Sequence, residues 1–294
     1  MTQTIKGSIT IEGQEITITN PEKLLWPERG ITKRMYLQKL AALSPYLLCY
    51  CRDRLLTVIR YPHGVPGMSF YQKNAPEPLP DFVRTATHDG ITYILLQGLP
   101  ELLWLGNLAA LEFHPSLHYA GSELPCEWMI DLDPSMEVEP RIMEAAAVVG
   151  EVLKSLGLAS VPKTSGATGV QIIVPVRPGI TFDSLRRIGH LVGRYVTEKR
   201  PDLFTLERLK KNRGDKIYFD YLQHYGGKTL AAPYTPRARP LATVSTPLLW
   251  EEVERNVSPA DFHLLNIEQR LGRMGDLIAN VPPQPVEAIL SRLP

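Results

Sequence analysis

Trp128-Met129-Ile130-Asp131-Leu132-Asp133-Pro134 is an apolar run that closes on two carboxylates. In an extended chain successive side chains alternate faces, so Trp128, Ile130 and Leu132 point one way and Met129, Asp131 and Asp133 the other. Two acids side by side resist ionisation unless a cation lies between them. Hard ions such as Mg²⁺ or Mn²⁺ take such an oxygen pair and keep positions open for phosphate oxygens. Pro134 cannot donate to a sheet ladder, so the strand ends there with its carboxylates at the lip. The heptad alone also reads as a plain strand, an Asp-Pro turn and two solvated acids.

Downstream, the spacing predicts an Ala-rich helix over 141–156, stopped by Gly157. Two strands, 160–164 and 170–174, flank the loop Ser165-Gly166-Ala167-Thr168-Gly169. Its glycines allow close backbone approach, and its hydroxyls and amides suit a phosphate. It is not a P-loop, since the Lys after the last Gly is missing and no helix follows. A long helix is predicted over 182–200 and a strand over 216–222, where Tyr218, Asp220 and Leu222 share a face. Asp220 is thus a candidate third carboxylate for a two-metal site. Between Arg208 and Arg239 the cations Arg208, Lys210, Lys211, Arg213, Lys216, Lys228, Arg237 and Arg239 face only Asp215 and Asp220. With Tyr218, Phe219, Tyr221, Tyr225 and Tyr234 interleaved, this stretch suits phosphates and stacked bases, or is simply a solvated face. From Ala231 onward Pro and Arg predict a segment draped over the surface.

Upstream, residues 7–19 alternate as a hairpin around Gly13, and 20–27 read as a turn with a short helical piece. Thr32 is a candidate N-cap for a helix whose apolar face is Met35, Leu37, Leu40 and Leu43. Lys33 falls in its first turn, where the helix dipole disfavours a cation, a hint of an anionic ligand. Strands are predicted over 54–62, 68–73 and 91–96, a helix over 101–111, and a helical or irregular tail from 250 to about 273. Strands and helices alternate only loosely, which predicts an α+β protein.

Bulk properties narrow the class. The chain has 294 residues, 44% hydrophobic and 21% charged, as in ordinary globular proteins. It has neither a membrane-length apolar run nor a signal-peptide core at its start, so a cytoplasmic protein without membrane attachment is expected. Cys49, Cys51 and Cys126 fit neither a disulfide framework nor a zinc knuckle. A net charge of +1 does not by itself advertise a nucleic-acid binder.

The order Asp-x-Asp, then Ser-Gly-x-x-Gly, then a strand Asp followed by Tyr-Leu-Gln resembles the archaeo-eukaryotic primase superfamily. More narrowly, the chain is similar to the polymerase domain of bacterial ligase D, the primase–polymerase of non-homologous end joining. The likeness runs from Thr19-Asn20-Pro21-Glu22-Lys23-Leu24-Leu25-Trp26-Pro27 to Pro247-Leu248-Leu249-Trp250-Glu251. It takes in Gly30-Ile31-Thr32-Lys33, Asp131-Leu132-Asp133-Pro134, Thr164-Ser165-Gly166, Asp220-Tyr221-Leu222-Gln223, Lys228-Thr229 and Ala232-Pro233-Tyr234 with Arg237.

The resemblance implies the α+β prim-pol fold: antiparallel and mixed sheets flanked by helices, with an RRM-like catalytic module. One domain over 1–294 is expected, with an N-terminal module to about 120, a catalytic module over about 121–250 and a tail over 251–294. Asp131, Asp133 and Asp220 match the catalytic, metal-binding triad, with two Mn²⁺ or Mg²⁺ ions and NTP or dNTP as substrate. His114, Ser165, Gly166, Thr168, Gln171, Arg213, Lys228 and Arg237 match nucleotide-binding positions. Asn20, Lys23, Lys33, Arg60, Phe70 and Tyr71 match contacts to DNA or to the 5′-phosphate across a gap. Many relatives have Lys where this chain has Thr168 and His where it has Gln171, which weakens the expected triphosphate grip.

The implied activity is template-dependent gap filling and 3′-end extension at double-strand breaks, with ribonucleotides preferred. The implied partners are 5′-phosphorylated gapped or broken DNA, Ku and a separate ATP-dependent DNA ligase. The implied place is the cytoplasm, at a bacterial or archaeal nucleoid. No Lys-x-Asp-Gly ligase motif occurs, so a stand-alone or excised polymerase module is expected. A primer-independent primase and a non-catalytic end-bridging module remain as alternatives. A metal-dependent glycosyltransferase would explain Asp-x-Asp but not Asp220 with its basic surroundings.

Overall fold

The structure of the protein, a computed structural model, describes residues 6–290, so both ends of the expected 1–294 domain lie outside the described residues. The chain forms two compact units. The first comprises Met1–Ser116, Thr229–Ser245 and Phe262–Arg273; the second comprises Leu117–Lys228, Thr246–Asp261 and Met274–Pro294. The chain returns twice to its first unit, at 229–245 and 262–273.

In the first unit, β1 (Lys6–Ile11) and β2 (Gln14–Thr19) form a hairpin, and β3 (Leu24–Trp26) pairs with β4 (Ile31–Thr32). The 3₁₀ turn Pro27–Arg29 joins β3 to β4. Helix α1 (Lys33–Cys51) is capped by Thr32, whose hydroxyl accepts the Met35 N–H at 3.3 Å. Such a cap contributes about 1 kcal/mol. Strands β5 (Arg54–Arg60), β6 (Phe70–Gln72), β7 (Arg84–His88) and β8 (Ile91–Leu95) lie in the order β6-β5-β8-β7. Helix α2 (Leu99–Asn107) packs on α1, and β9 (Ala110–Tyr119) pairs with β5.

Two expectations fail here. The helix predicted to reach residue 111 ends at Asn107, because Ala109 takes a left-handed φ of 60° and turns the chain into β9. A strand buried on both faces has no alternation to betray it, so 110–111 read as more helix. The Pro-rich segment from Ala231 is not draped outside: Ala231, Ala232, Tyr234, Thr235 and Val244 are buried. Its amides find partners within the first unit, Tyr234 N–H on Ser245 O at 2.7 Å and Arg237 N–H on Thr243 O at 2.7 Å. Thr235 Oγ1 accepts the Phe113 N–H at 2.9 Å, and the Tyr234 ring lies 5.4 Å from that of Tyr46. Proline carries no N–H to satisfy, so the segment is buried at little polar cost.

The second unit is built on one sheet. Strands β10 (Glu127–Pro134), β11 (Val161–Thr164), β12 (Val170–Pro175), β13 (Phe204–Thr205) and β14 (Ile217–Asp220) take the order β11-β12-β10-β14-β13. Every pairing is antiparallel except β13 with β14. Helices α3 (Ile142–Ser155) and α4 (Phe182–Lys199) lie between these strands in sequence. A Cβ added at Gly193 of α4 would meet Phe219 at 2.9 Å, and one at Gly189 would lie 3.8 Å from the Trp128 indole nitrogen. The helix therefore packs on the face carrying Trp128, Ile130 and Leu132, none more than 1% exposed. Burying each of these side chains stabilises the unit by about 1.5–3 kcal/mol. The opposite face is left to the acids.

Three short helices complete the chain: α5 (Trp250–Glu254), α6 (Ile267–Met274) and α7 (Glu287–Leu290). Trp250 packs so closely on α3 that a Cβ at Gly150 would sit 2.4 Å from its ring. Mixed sheets flanked by helices make this an α+β protein, as expected. Among the described residues no helix is long and apolar enough to cross a membrane.

Candidate active site

The register of the second sheet sets Lys163, Gln171, Asp131 and Asp220 in one row across four strands. Lys163 pairs with Gln171, Gln171 with Asp131, and Asp131 with Asp220. One step along, Asp133 pairs with Tyr218 and Pro134 with Ile217. The strand pleat then turns Asp131, Asp133 and Asp220 to the face opposite the helices.

Each carboxylate is held by one oxygen. Asp131 Oδ1 accepts from the Gln171 amide at 3.2 Å. Asp133 Oδ2 accepts from Arg213 Nη1 at 2.9 Å. Asp220 Oδ1 accepts from the Tyr218 hydroxyl at 3.1 Å and the Leu222 N–H at 3.0 Å. Burial pushes the Asp131 carboxyl up to about 7, helped by Asp220 and Asp133 and opposed by the Gln171 hydrogen bond and Lys163. Burial also raises Asp220, against the Tyr218 and Leu222 hydrogen bonds and nearby Lys228.

Among the described residues no three His, Cys, Asp or Glu side chains already converge on a point that would hold a metal ion. The donor set nevertheless fits a hard divalent ion. Three acids share one face, each with a second oxygen that accepts no hydrogen bond among the described residues, and their mutual repulsion is what a cation would relieve.

The glycine loop lies beside this row. Gly166 needs its left-handed φ of 69°, and Gly169 approaches so closely that a Cβ would lie 2.5 Å from Leu132 O. The Ser165 hydroxyl accepts the N–H groups of Ala167 and Gly169, each at 3.1 Å. Two amides expected to face a phosphate thus close the loop on itself, and Thr168 is partly exposed at its tip. Arg213 is more tightly built in than a surface cation. It donates to Glu207 O at 2.9 Å and Arg208 O at 2.7 Å, and it stacks 4.1 Å from the Tyr218 ring centre.

The remaining candidates belong to the first unit. His114 Nε2 lies 2.9 Å from Glu112 Oε2, and Arg237 Nε donates to the same oxygen at 3.0 Å. Lys33 is buried, and its ammonium donates to Thr19 O at 2.7 Å and Asn107 O at 2.8 Å. Burial, with the nearby charge of Lys23, lowers it to about 8. Lys23 donates to Pro62 O, and Asn20 holds a left-handed φ of 48° beside it. Arg60 donates to Leu108 O at 2.9 Å and Gln72 at 2.9 Å, and lies 5.2 Å from the Phe70 ring centre. Phe70 is 45% and Tyr71 73% exposed, aromatic surface left open to a partner.

Three residues that hold these groups escaped sequence reasoning. Glu112 fixes His114 and Arg237, and the only signal was a Glu two residues before a His on one strand. Lys163 looked like any alternating strand residue. His224 meets the Met129 backbone with Nε2, 3.0 Å from N and 2.9 Å from O, and burial lowers it to about 4, so it braces β10 as a neutral ring.

The sequence profile of the LigD primase-polymerase domain matches residues 32–278. The chain belongs to the LigD primase-polymerase family. It is 39% identical over 285 residues to the bifunctional non-homologous end joining protein LigD of Bacillus subtilis, covering 95% of this chain and 47% of that one. It is 30% identical over 281 residues to the multifunctional non-homologous end joining DNA repair protein LigD of Mycobacterium tuberculosis, covering 90% and 37%. The chain thus spans about half, or less, of the length of these LigD relatives. The polymerase domain of Mycobacterium tuberculosis ligase D, solved in complex with DNA, superposes with a TM-score of 0.82 at 28% identity. That match covers 91% of this chain and 99% of the solved domain. Membership in the LigD family brings nucleotidyl transfer with divalent metal and nucleotide as its class of chemistry.

Proposed function

We propose that the protein is a template-dependent nucleotidyltransferase that fills short gaps and extends 3′ ends at DNA double-strand breaks, with ribonucleotides preferred. The observation that carries this reading is the row of acids, with Asp131 and Asp220 in register and Asp133 one step away on the same face. Asp131, Asp133 and Asp220 would hold two Mn²⁺ or Mg²⁺ ions. Ions held there would supply activation of the primer 3′-hydroxyl and neutralisation of the leaving pyrophosphate.

The protein's own part is positioning and charge. Arg213 holds Asp133 by one oxygen and leaves the other to face the reacting groups. Ser165 and the glycine loop, with Thr168, Gln171 and Lys228, line the row as the nucleotide's triphosphate side. His114 and Arg237, locked by Glu112, serve as further nucleotide contacts. Lys23 and Lys33 form no ion pair with an acid among the described residues, and the charge of Lys23 disfavours that of Lys33. A 5′-phosphate would relieve that repulsion, with Asn20 and Arg60 nearby and Phe70 and Tyr71 stacking on bases.

DNA carrying a 5′-phosphorylated gap or a broken end is the proposed partner, because the solved mycobacterial domain was bound to DNA. Ku and a separate ATP-dependent DNA ligase are the further proposed partners, in keeping with the end-joining name of the relatives. Primer extension on a gapped duplex, NTP against dNTP and Mn²⁺ against Mg²⁺, tests the reading. Extension that needs the template and is lost in Asp133→Ala supports it. Undiminished extension by Asp133→Ala contradicts it. DNA bridging that is indifferent to the same substitution would favour a non-catalytic role.

A further inference from the structure

Lys163 is a charged side chain with no exposed surface, placed at the far end of the acidic row. Burying an ammonium costs several kcal/mol unless something in the structure uses its charge. Its Nζ donates to Gln171 Oε1 across the β11–β12 pair. Gln171 Nε2 in turn donates to Asp131 Oδ1 at 3.2 Å across the β12–β10 pair. The chain of contacts runs Lys163, Gln171, Asp131, with Asp220 next in register.

The chemistry of this chain has a direction. An ammonium has donors and no acceptor, whereas an amide has a donor end and an acceptor end. Lys163 can therefore be met only by the amide oxygen, which forces the amide nitrogen towards Asp131. With an apolar residue at 163 the amide loses the partner that fixes its orientation. Turned over, it would set its carbonyl oxygen against a carboxylate. Lys163 thus decides, two strands away, that Asp131 meets a donor on Oδ1. Asp131 Oδ2 then receives no hydrogen bond from the described residues.

The surroundings make the row stiff. Thr164, next to Lys163, donates its N–H to Thr246 O at 2.9 Å and accepts the Thr246 N–H on its hydroxyl at 3.1 Å. Gly169, close to Gln171, is seated against Leu132 O. Gln171 itself is 3% exposed, so water does not readily replace either of its partners.

We propose that Lys163 is a positioning residue for the acidic centre, acting through the Gln171 amide to orient Asp131 for a divalent cation. The inference rests on the reading of Asp131, Asp133 and Asp220 as metal ligands. It also identifies a cation in this chain that serves the centre from beneath, where the glycine loop itself carries Thr168.

Mn²⁺ binding to the folded protein, without DNA or nucleotide, tests it. Free Mn²⁺ is read by electron paramagnetic resonance in the wild type, Lys163→Met, Gln171→Leu, the double variant and Asp131→Ala. Lys163→Met is expected to weaken Mn²⁺ binding ten- to a hundredfold, the usual range for a residue that orients a ligand. Gln171→Leu should weaken it by a similar factor. The double variant should be no weaker than the worse single one, because both changes break the same chain. A merely structural lysine would lower the melting temperature and leave the affinity of the folded protein unchanged.

Mn²⁺ affinity within twofold of wild type in Lys163→Met overturns the proposal, as do two single effects that multiply in the double variant. Should Lys163→Met fail to fold, Gln171→Leu decides alone, with wild-type affinity overturning it. Asp131→Ala separates the two levels of argument. If it binds Mn²⁺ as wild type does, the metal reading itself falls and the role of Lys163 falls with it. If only Asp131→Ala loses binding, the metal reading stands and Lys163 is excluded.

Discussion

Glu112 in the first unit and Asp131 in the second are both carboxylates set in a strand and largely withdrawn from water, yet their proton affinities move in opposite directions. Burial alone would raise Glu112. The His114 hydrogen bond, the Arg237 charge and the Ala238 N–H outweigh it and bring the group to about 2. Asp131 has one neutral donor, and burial with two neighbouring acids brings it to about 7. The difference lies in the company each acid keeps. Glu112 is already paired and serves to hold other side chains. Among the described residues Asp131 has no counter-charge in contact, the condition expected of a group that would take a cation.

Removing an acid from the row should have the largest effect. Asp220→Ala is expected to lower nucleotide addition by a factor of ~10³ or more, with DNA binding retained, since in the proposed function the row would supply charge stabilisation during transfer rather than grip. Single-turnover primer extension and a DNA titration on the same sample measure both quantities. An Asp220→Ala protein that extends primers normally would leave the row without a function.

Removing the other kind of acid should act on stability. Glu112→Ala leaves Arg237 and His114 without their anion and is expected to cost about 3 kcal/mol at pH 7. Because the folded pKa of Glu112 lies below its unfolded value, its contribution is complete above about pH 4.5 and fades as pH falls towards about 2. Urea unfolding of wild type and variant at pH 7 and at pH 3 should therefore show a smaller gap at the lower pH. A gap that widens on acidification would contradict the pairing.

Asp131→Asn should have the opposite sign and a smaller size. The folded pKa of Asp131 is raised, so its penalty on the fold is absent below about pH 4, grows through about pH 7 and is complete above it. The amide variant is expected to be more stable than wild type by about 1–2 kcal/mol at pH 8 and equal to it near pH 4. Differential unfolding of the metal-free proteins at the two pH values checks this, and a destabilised variant at pH 8 would refute it.

The two regions also differ in how far the amino-acid sequence exposed them. Asp131 and Asp133 were legible because Pro134 ends their strand and the alternation puts both on one face. Asp220 was legible through Tyr218 on the same strand face, although the strand ends at Asp220 and Leu222 lies in the 3₁₀ turn Tyr221–Gln223 rather than on the strand as predicted. The long helices of the second unit announced themselves by period and by Gly157 and Pro201. Glu112 was not legible, since nothing local says that a strand glutamate meets Arg237, one hundred and twenty-five positions away. Lys163 was hidden for the same reason, because a buried cation and a solvated one look alike in a short strand. The turn at Ala109 and the burial of 231–235 were lost to tertiary packing. A left-handed alanine has no composition signal, and prolines favour a surface position in sequence even where, as here, they fill a core.

The acidic row of Asp131, Asp133 and Asp220 is expected to take up a divalent ion. The direct measurement is the melting temperature of wild type and Asp131→Ala with and without Mn²⁺, at pH 6 and at pH 8. Below about pH 7 the ion must displace a proton from Asp131, so the wild-type shift should be larger at pH 8 than at pH 6. Asp131→Ala should show little shift at either pH. Equal Mn²⁺ shifts in the two proteins, or a wild-type shift that shrinks from pH 6 to pH 8, would contradict the account.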